Sequence, residues 1–159
     1  MTTIEFELER VIEAPVADVF ARLVDIEGYN AWMPHKGSML HRTRQTSLGE
    51  PTVGTTYVDE TSQGSIPGEI VECDAPRAVV FHWWEKSRSG KVRLEGWPGY
   101  VLEASGENAT LVRHRAKLRA FGAFRLAAPI LKRLVIRERT TTIDALKASF
   151  AGGGNRPTM

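Results

Sequence analysis

His114 and Glu138 are the two residues whose types and positions indicate chemistry most directly. His114 interrupts a segment of alternating residues between Val112 and Ala116, on the face that the apolar residues share. An imidazole in that position could hydrogen-bond a ligand carbonyl or hydroxyl, or transfer a proton near neutral pH. The alternative interpretation is a core histidine whose ring nitrogens have protein partners, as buried polar groups require.

Glu138 lies on the apolar side of a long helix predicted near the C-terminus. A buried carboxylate without a partner would cost several kcal/mol, so Arg10, His114 or a ligand hydroxyl is expected beside it. With His114 it could supply an acid and a base to one pocket. The alternatives are a structural ion pair, or a helix rotated so that Glu138 meets water. Thr142, one turn later, is predicted to be a small polar residue of the same wall, with its hydroxyl bonded to the backbone.

Aromatic residues crowd two neighbouring predicted strands, at Trp83, Trp84, Trp97 and Tyr100. Tryptophan and tyrosine are typical of organic-ligand sites because they offer flat apolar surface with one polar group. They also fill hydrophobic cores, so the aromatic residues alone do not distinguish a ligand site from a core.

Other kinds of catalytic or metal site find no support in the sequence. The chain contains no Gly-x-Ser-x-Gly, no Walker loop, no His-Glu-x-x-His and no Gly-x-Gly-x-x-Gly that opens a helix. Its four histidines have no metal-ligand spacing; they are His35, His41, His82 and His114. Cys73 has no second cysteine with which to form a disulfide or a thiolate site. The sequence therefore predicts neither a metal nor a cofactor.

The elements that would position these residues follow the order strand, two short helices, six strands and one long helix. In the first strand, over 3–12, apolar residues alternate with glutamates. The helices are predicted at 16–23, at 26–33 and from the corner at Gly122 to about Phe150. The later strands are predicted at 38–47, 54–62, 66–74, 78–86, 91–104 and 109–120, with a bulge or bend at Pro98. Short turns between successive strands make each antiparallel to the one before.

Two groups of basic residues are predicted to face solvent. On the last strand, basic residues alternate with the inward face, and they would lie opposite glutamates of the first strand if the two strands pair: Arg113, Arg115, Lys117 and Arg119 opposite Glu5, Glu7 and Glu9. The basic cluster over 132–139 is interpreted as the solvated flank of the long helix. The apolar side of that helix is predicted to contain Ala127, Leu131, Leu134, Val135, Ala145, Leu146 and Ser149.

The composition is that of one ordinary globular domain. The 159 residues are 42% apolar and 25% charged, and 21 Lys+Arg exceed 19 Asp+Glu by two. This small excess argues against nucleic acid as a partner, because phosphate binding needs clustered positive charge. No signal-peptide pattern and no apolar run of the ~18 residues that cross a bilayer are present, so a cytoplasmic protein without stable membrane insertion is expected. One domain over 1–150 with a flexible tail over 151–159 is predicted, as a monomer or a homodimer.

This order of elements, together with several local motifs, resembles the START-like superfamily, also called the SRPBCC or polyketide cyclase/dehydrase group. The resemblance covers about residues 4–150. It rests on an Ala-Pro entry into the first helix at 12–20, a second helix with two aromatic residues at 25–32, a Pro followed by an apolar strand at 74–81, and a turn at 106–112 that has Ala-Thr where the family usually has Gly-Thr. These motifs indicate the fold, and none of them is catalytic.

The resemblance implies an α+β helix-grip fold, in which a curved seven-stranded antiparallel sheet surrounds a long C-terminal helix and two short helices follow the first strand. It also implies a hydrophobic cavity between the sheet and that helix, with Val79, Phe81 and Trp83 facing inward. Ligand contacts are predicted for Phe6, Leu8, Phe81, Trp83, Tyr100, Val112, His114, Leu134, Glu138 and Thr142.

Three classes of function are compatible with this sequence. The first is a binding protein for a small hydrophobic molecule of lipid, polyketide or aromatic type. The second is a polyketide cyclase or dehydratase that uses His114 and Glu138 as acid and base in the same pocket. The third, a protein–protein regulator, would need an exposed apolar patch, and none is evident in the sequence. Because no catalytic set is recognisable, binding is the preferred prediction.

Overall fold

A curved, seven-stranded antiparallel sheet packs against one long helix in the computed structural model, which describes residues 1–151. The strands are β1 Thr2–Ile12, β2 Leu40–Gln45, β3 Thr56–Thr61, β4 Gly64–Asp74, β5 Ala78–Lys86, β6 Val92–Ala104 and β7 Thr110–Ala120. The helices are α1 Val16–Val24, α2 Tyr29–Trp32 and α3 Ala128–Ala151, with a turn of 3-10 helix at Gly122–Arg125 before α3. The predicted helix-grip fold is confirmed. The flexible tail was predicted over 151–159; Ala151 is instead the last residue of α3, and residues 152–159 lie outside the described residues.

The predicted second helix is too long. The structure has a turn over 26–28, and α2 covers a single helical turn after it. Asp25 accounts for this difference, because its carboxylate accepts a hydrogen bond from the Gly28 amide at 3.3 Å. A side chain that bonds a nearby amide in this way favours a turn over continued helix.

The first strand pairs with the last, so the sheet order is β1-β7-β6-β5-β4-β3-β2. The predicted charge pairing between β1 and β7 is wrong for Arg119, which faces Thr3, and is confirmed for two other basic residues: Glu9 faces Arg113 and Glu7 faces Arg115, with nitrogen–oxygen distances of 3.2 and 3.3 Å. These basic residues therefore have acidic neighbours on the outer face of the sheet.

A bulge or bend was predicted at Pro98, and the bulge is wrong. On one side of the proline Val80 pairs with Gly99, and on the other Trp83 pairs with Gly96, so the register with β5 is unchanged across it. The register shift between these strands lies instead at Glu85 and Lys86. Pro98 is buried on the inner face, where a missing amide donor interrupts the ladder without displacing it.

Two groups of buried apolar residues form the core. The main cluster includes Val79, Tyr100, Val112, Ile143 and Leu146. The second cluster, smaller, consists of the buried residues Ile4, Leu94, Leu118 and Ala120, with further side chains packed against them. The inner face of the sheet and one face of α3 contribute to both clusters, so the space between the clusters is enclosed by these two surfaces.

Helix α3 is rotated relative to the predicted apolar side. Ile143 is fully buried, whereas Leu134 is 48% exposed. Arg139 lies four residues after Val135 and four before Ile143, which places it on the inward face. The interpretation of 132–139 as a solvated flank is therefore right for Lys132, which is exposed, and wrong for Arg139.

An exposed apolar row lies at the start of α3. Leu126, Ile130 and Leu134 are 87%, 64% and 48% exposed and follow one another at four-residue intervals. The expectation that the chain has no exposed apolar patch is therefore wrong.

Candidate functional site

A cavity of about 520 Å³ lies between the inner face of the sheet and α3. Its wall contains Phe81 and Tyr100 from the main cluster and Leu94 and Leu118 from the second cluster, so it separates the two parts of the core. The wall reaches the protein surface at Leu134. This volume falls within the roughly 300–1,000 Å³ that small-molecule sites occupy.

Six of the ten predicted ligand-contact residues lie on the cavity wall, and the other four do not. Those on the wall are Phe81, Trp83, Tyr100, Leu134, Glu138 and Thr142. Phe6 packs against the second cluster, and Leu8 packs against the main cluster. Val112 and His114 are fully buried behind the wall. Val112 and His114 miss the cavity because β7 contributes to its wall further along the strand, through Ala116 and Leu118, and no residue of β1 lines it.

Both ring nitrogens of His114 are engaged by protein partners. Its Nδ1 lies 2.8 Å from the carbonyl oxygen of Gly99, and its Nε2 accepts a hydrogen bond from Nε of Arg139 at 2.9 Å. The ring stacks on Tyr100 with centroids 4.1 Å apart and an interplanar angle of 4°. These contacts match the interpretation of His114 as a satisfied core histidine.

The protonation state of His114 follows from the same surroundings. Burial, and secondarily the charge of Arg139, lower its pKa from 6.5 to about 3, although the bond to Gly99 acts in the opposite direction. The ring is therefore neutral, with Nδ1 donating to Gly99 and Nε2 accepting from Arg139. A neutral imidazole with both nitrogens occupied is not available for proton transfer to a ligand.

Glu138 holds a loop rather than a charged partner. Its carboxylate accepts hydrogen bonds from the Ser38 hydroxyl at 2.6 Å and from the Met39 amide at 3.1 and 3.2 Å. Arg10, one of the three partners suggested from the sequence, is bonded to Asp144 at 2.7 Å. Glu138 thus joins α3 to the segment that leads into β2.

Thr142 has the hydroxyl arrangement that the sequence predicts. It is 3% exposed, and its Oγ1 donates to the carbonyl oxygen of Glu138 at 3.1 Å. Because the hydroxyl bonds its own helix, Thr142 presents mainly its methyl group to the surroundings.

Arg139 is the residue of this site that sequence reasoning missed. Its Nε donates to His114, and its Nη2 donates to the Tyr100 hydroxyl at 3.1 Å. The signal that could have identified it is its spacing: residues 135, 139, 143 and 146 share one helical face. The basic residues around it led instead to the interpretation of a solvated flank.

The charge of Arg139 has no acidic partner in direct contact. No carboxylate oxygen within residues 1–151 lies within 4.0 Å of its nitrogens. Burial lowers the pKa of Arg139, but Tyr100, Tyr29 and Glu138 together raise it above its ordinary value, so the guanidinium remains protonated. A cation on an apolar cavity wall is therefore held by two neutral side chains, the ring of His114 and the hydroxyl of Tyr100.

Asp59 is a second polar wall residue that the sequence did not reveal. It lies on β3, opposite Thr43 of β2, and lines the cavity. Burial raises its pKa from 3.8 to about 6, although a hydrogen bond with Thr43 and the charge of Arg139 act in the opposite direction. Asp59 therefore exchanges a proton within the physiological range.

Glycine makes room for the aromatic side chains of the wall. A Cβ at Gly96 would lie 2.6 Å from two ring atoms of Trp83, and a Cβ at Gly68 would lie 2.3 Å from Cζ of Tyr57. Each ring thus lies flat across a neighbouring strand where any larger residue would displace it.

Replacing Gly96 by alanine should lower the free energy of unfolding by about 1–3 kcal/mol, because Trp83 must move from its position on the strand. Urea unfolding would measure the change. Gly99→Ala on the same strand is the matched control, since its Cβ would meet nothing closer than 3.2 Å, and it should cost less. Equal losses for the two variants would contradict this account of the Trp83 position.

A metal site and a membrane-spanning helix are both absent from the described part of the chain. Over residues 1–151, no three His, Cys, Asp or Glu side chains are arranged so that they could hold a metal ion. Among the described helices, none has both the length and the apolar composition needed to cross a membrane.

Comparison with known proteins places this geometry among related folds. The family described as "Polyketide cyclase / dehydrase and lipid transport" matches residues 3–151. A search of curated proteins found no match.

Several solved structures share the fold. The Zhui aromatase/cyclase from a Streptomyces species is 13% identical, with a TM-score of 0.74 and 94% of each chain covered. A START superfamily protein from Mycobacterium smegmatis is 13% identical, with a TM-score of 0.71 and coverage of 94% of this chain and 97% of that one. Norcoclaurine synthase from Thalictrum flavum is 10% identical, with a TM-score of 0.71 and coverage of 97% and 98%. At these identities the likeness concerns the fold alone.

Proposed function

Because the chain belongs to the polyketide cyclase/dehydrase and lipid transport family, we propose that it binds a small hydrophobic organic molecule of lipid, polyketide or aromatic type in the cavity between the sheet and α3. The single observation that carries this proposal is the cavity itself, whose volume of about 520 Å³ is enclosed mainly by apolar and aromatic side chains. Side chains would ordinarily fill a space of this size inside a protein, since protein interiors are close-packed.

The cost of such a cavity supports a ligand role. An unfilled apolar space forgoes dispersion contacts along its whole lining and lowers stability roughly in proportion to its volume. The glycines under Trp83 and Tyr57 hold two rings flat against the strands, which keeps the space open. A ligand that fills this space would regain the lost contacts and raise the stability of the folded chain.

Binding can be tested with the neutral fluorescent dye N-phenylnaphthylamine. We expect its fluorescence to rise on mixing with the protein, because the dye enters an apolar environment. Leu134→Glu places a charge on the cavity wall at a residue that is 48% exposed, so the fold should tolerate it while dye affinity falls by about tenfold.

Ile130→Glu is the matched control for that experiment. It lies one helical turn earlier, is 64% exposed and is not part of the cavity wall, so dye binding should be unchanged. Equal weakening by both variants would place the dye on the exposed apolar row. No fluorescence rise with the unmodified protein, together with no small molecule found by native mass spectrometry, would contradict the proposal.

An enzyme of the cyclase or dehydratase type is the second candidate, and Asp59 is the observation that favours it. A carboxyl with a pKa near 6 on the wall of an apolar cavity can carry a proton, and Arg139 can stabilise developing negative charge. The contacts of His114 and Glu138 do not support the acid–base pair that the sequence suggested. For an enzyme of this kind, Asp59→Asn should lower the dehydration rate of a β-hydroxyketone substrate by about 10²-fold or more.

A further inference from the structure

We infer that the ligand of this cavity is an amphipathic organic anion whose oxyanion head group, such as a carboxylate, is bound by Arg139. The inference rests on the proposed binding function and adds the chemical class of the ligand. It starts from a single feature of the cavity wall, a guanidinium that has neutral hydrogen-bond partners and no acidic one in contact.

The charge of Arg139 is not balanced by any acidic side chain in contact within residues 1–151. A buried cation is costly unless a counter-charge or a full set of hydrogen bonds compensates it. Two of its five N–H groups are satisfied, one by His114 Nε2 and one by the Tyr100 hydroxyl. Three N–H groups, on the two terminal nitrogens, have no partner among residues 1–151. An oxyanion ligand would supply both the missing acceptors and the missing charge.

Arg139 is also held in position by hydrogen bonds. The Gly99 carbonyl fixes His114 in the tautomer that accepts at Nε2, and this nitrogen in turn fixes Nε of Arg139. The terminal nitrogens are thereby positioned on the cavity wall without an anion of the protein itself. A fixed guanidinium can bind a carboxylate with two parallel hydrogen bonds, which a flexible ammonium cannot do.

The other ionisable groups of the wall, apart from Asp59, either have protein partners or are neutral, so none of them supplies a counter-charge to Arg139. Glu138 is satisfied by Ser38 and Met39. Glu85 is paired with Arg93. Tyr57 and Tyr100 are neutral, because burial raises the pKa of each hydroxyl.

Asp59 is the wall group that opposes an anion. It is not in contact with Arg139, and with a pKa of about 6 it is mostly ionised at neutral pH. Its removal should therefore strengthen the binding of an anionic ligand. A ligand that donates a hydrogen bond to Asp59 and accepts one from Arg139 would instead bind more weakly. This difference gives the inference a second, independent test.

The experiment compares two dyes that differ by a single charged group. Anilinonaphthalene sulfonate is an amphipathic anion, and N-phenylnaphthylamine has the same ring system without the sulfonate. The affinity of each dye is measured by fluorescence titration for the unmodified protein and for Arg139→Gln, Arg137→Gln and Asp59→Asn. Arg137 is the matched control, because it is exposed and lies on the same helix two residues away.

Arg139→Gln should weaken the binding of the sulfonate dye by about tenfold or more and change that of the neutral dye by less than about twofold. Arg137→Gln should leave both affinities unchanged. Asp59→Asn should strengthen sulfonate binding several-fold, and it tests the inference even if Arg139→Gln does not fold.

Three results would overturn the inference while the proposed function stands. The first is equal weakening of both dyes by Arg139→Gln, and the second is weaker sulfonate binding in Asp59→Asn. The third is equal affinity of the neutral and the anionic dye, with a ratio of the two affinities that no variant changes. This result would show that the head group is not recognised. If neither dye binds the unmodified protein, the proposed function and the inference fail together.

Discussion

Replacing His114 by phenylalanine should lower the free energy of unfolding by about 2–5 kcal/mol, even though the new ring can still stack on Tyr100. The loss comes from two groups that would remain buried without a partner: the carbonyl oxygen of Gly99 and Nε of Arg139. The second of these carries charge, so its unmet hydrogen bond costs more than that of a neutral group. Urea unfolding at pH 7.5 would measure the change.

A double-mutant cycle separates this explanation from a general packing defect. Arg139→Met removes the cation that donates a hydrogen bond to His114, so the double variant His114→Phe/Arg139→Met should be less destabilised than the sum of the two single variants by about 0.5–3 kcal/mol. His41→Phe, at an exposed histidine, is the control and should have little effect. Strict additivity in the cycle would show that the His114–Arg139 bond is not the source of the loss.

The second large effect is the pH dependence of the free energy of unfolding. It depends on His114, whose pKa is lowered in the folded chain, and on Asp59, whose pKa is raised. The pKa of His114 is lowered from 6.5 to about 3 in the folded chain, so below pH 6.5 the unfolded chain takes up a proton that the folded chain does not. Stability is therefore lost as the pH falls from 6.5 towards 3, by up to about 4 kcal/mol.

Asp59 acts in the opposite direction. Its pKa is raised from 3.8 to about 6, so between these values the folded chain binds a proton that the unfolded chain does not. Stability is gained as the pH falls from 6 to 3.8, by about 1–3 kcal/mol when contact with cavity water is allowed for. Between pH 6 and pH 4 the contributions of Asp59 and His114 therefore largely cancel.

Asp59→Asn removes one of these two contributions. The variant should be more stable than the unmodified chain by about 1–3 kcal/mol at pH 7.5, and its stability should fall steadily from pH 6.5 downwards. Urea unfolding at pH 7.5, 5 and 4 would show both effects. Asp74→Asn, at an exposed carboxylate paired only with Arg77, should follow the unmodified chain. Parallel pH profiles for Asp59→Asn and the unmodified chain would show that Asp59 is an ordinary surface carboxylate.

The strands were predictable because their signal is local. Apolar and charged residues alternate along β1 and β7, and alternation alone states which side of a strand is buried. The charge pairing of Glu7 with Arg115 followed from the same pattern, once the two strands were assumed to be neighbours. Pro98 was misjudged because a missing amide donor has two structural solutions, a bulge or an interrupted ladder, and neighbouring strands decide between them.

The inner face of α3 was less predictable, because the helix is only weakly amphipathic at its centre. Glu138, Arg139 and Thr142 are all polar, and a rotation of a few tens of degrees decides which of them meets the sheet. Packing of Ile143 and Leu146 into the main cluster fixes that rotation. It turns Arg139 towards His114 and leaves Glu138 to bind the segment before β2.

The sequence by itself determined the order of the elements, the family and the presence of polar residues within an apolar helix face. Only the tertiary structure decided the partners of those polar residues. Ser38 and Glu138 are separated by 100 positions, and His114 and Arg139 by 25. Hydrogen bonds between groups so far apart depend on the curvature of the sheet and the rotation of α3, which arise from packing of the whole core. For that reason the sequence indicated His114 as a chemical group, and the structure shows it as the neutral acceptor that holds the half-buried cation of Arg139.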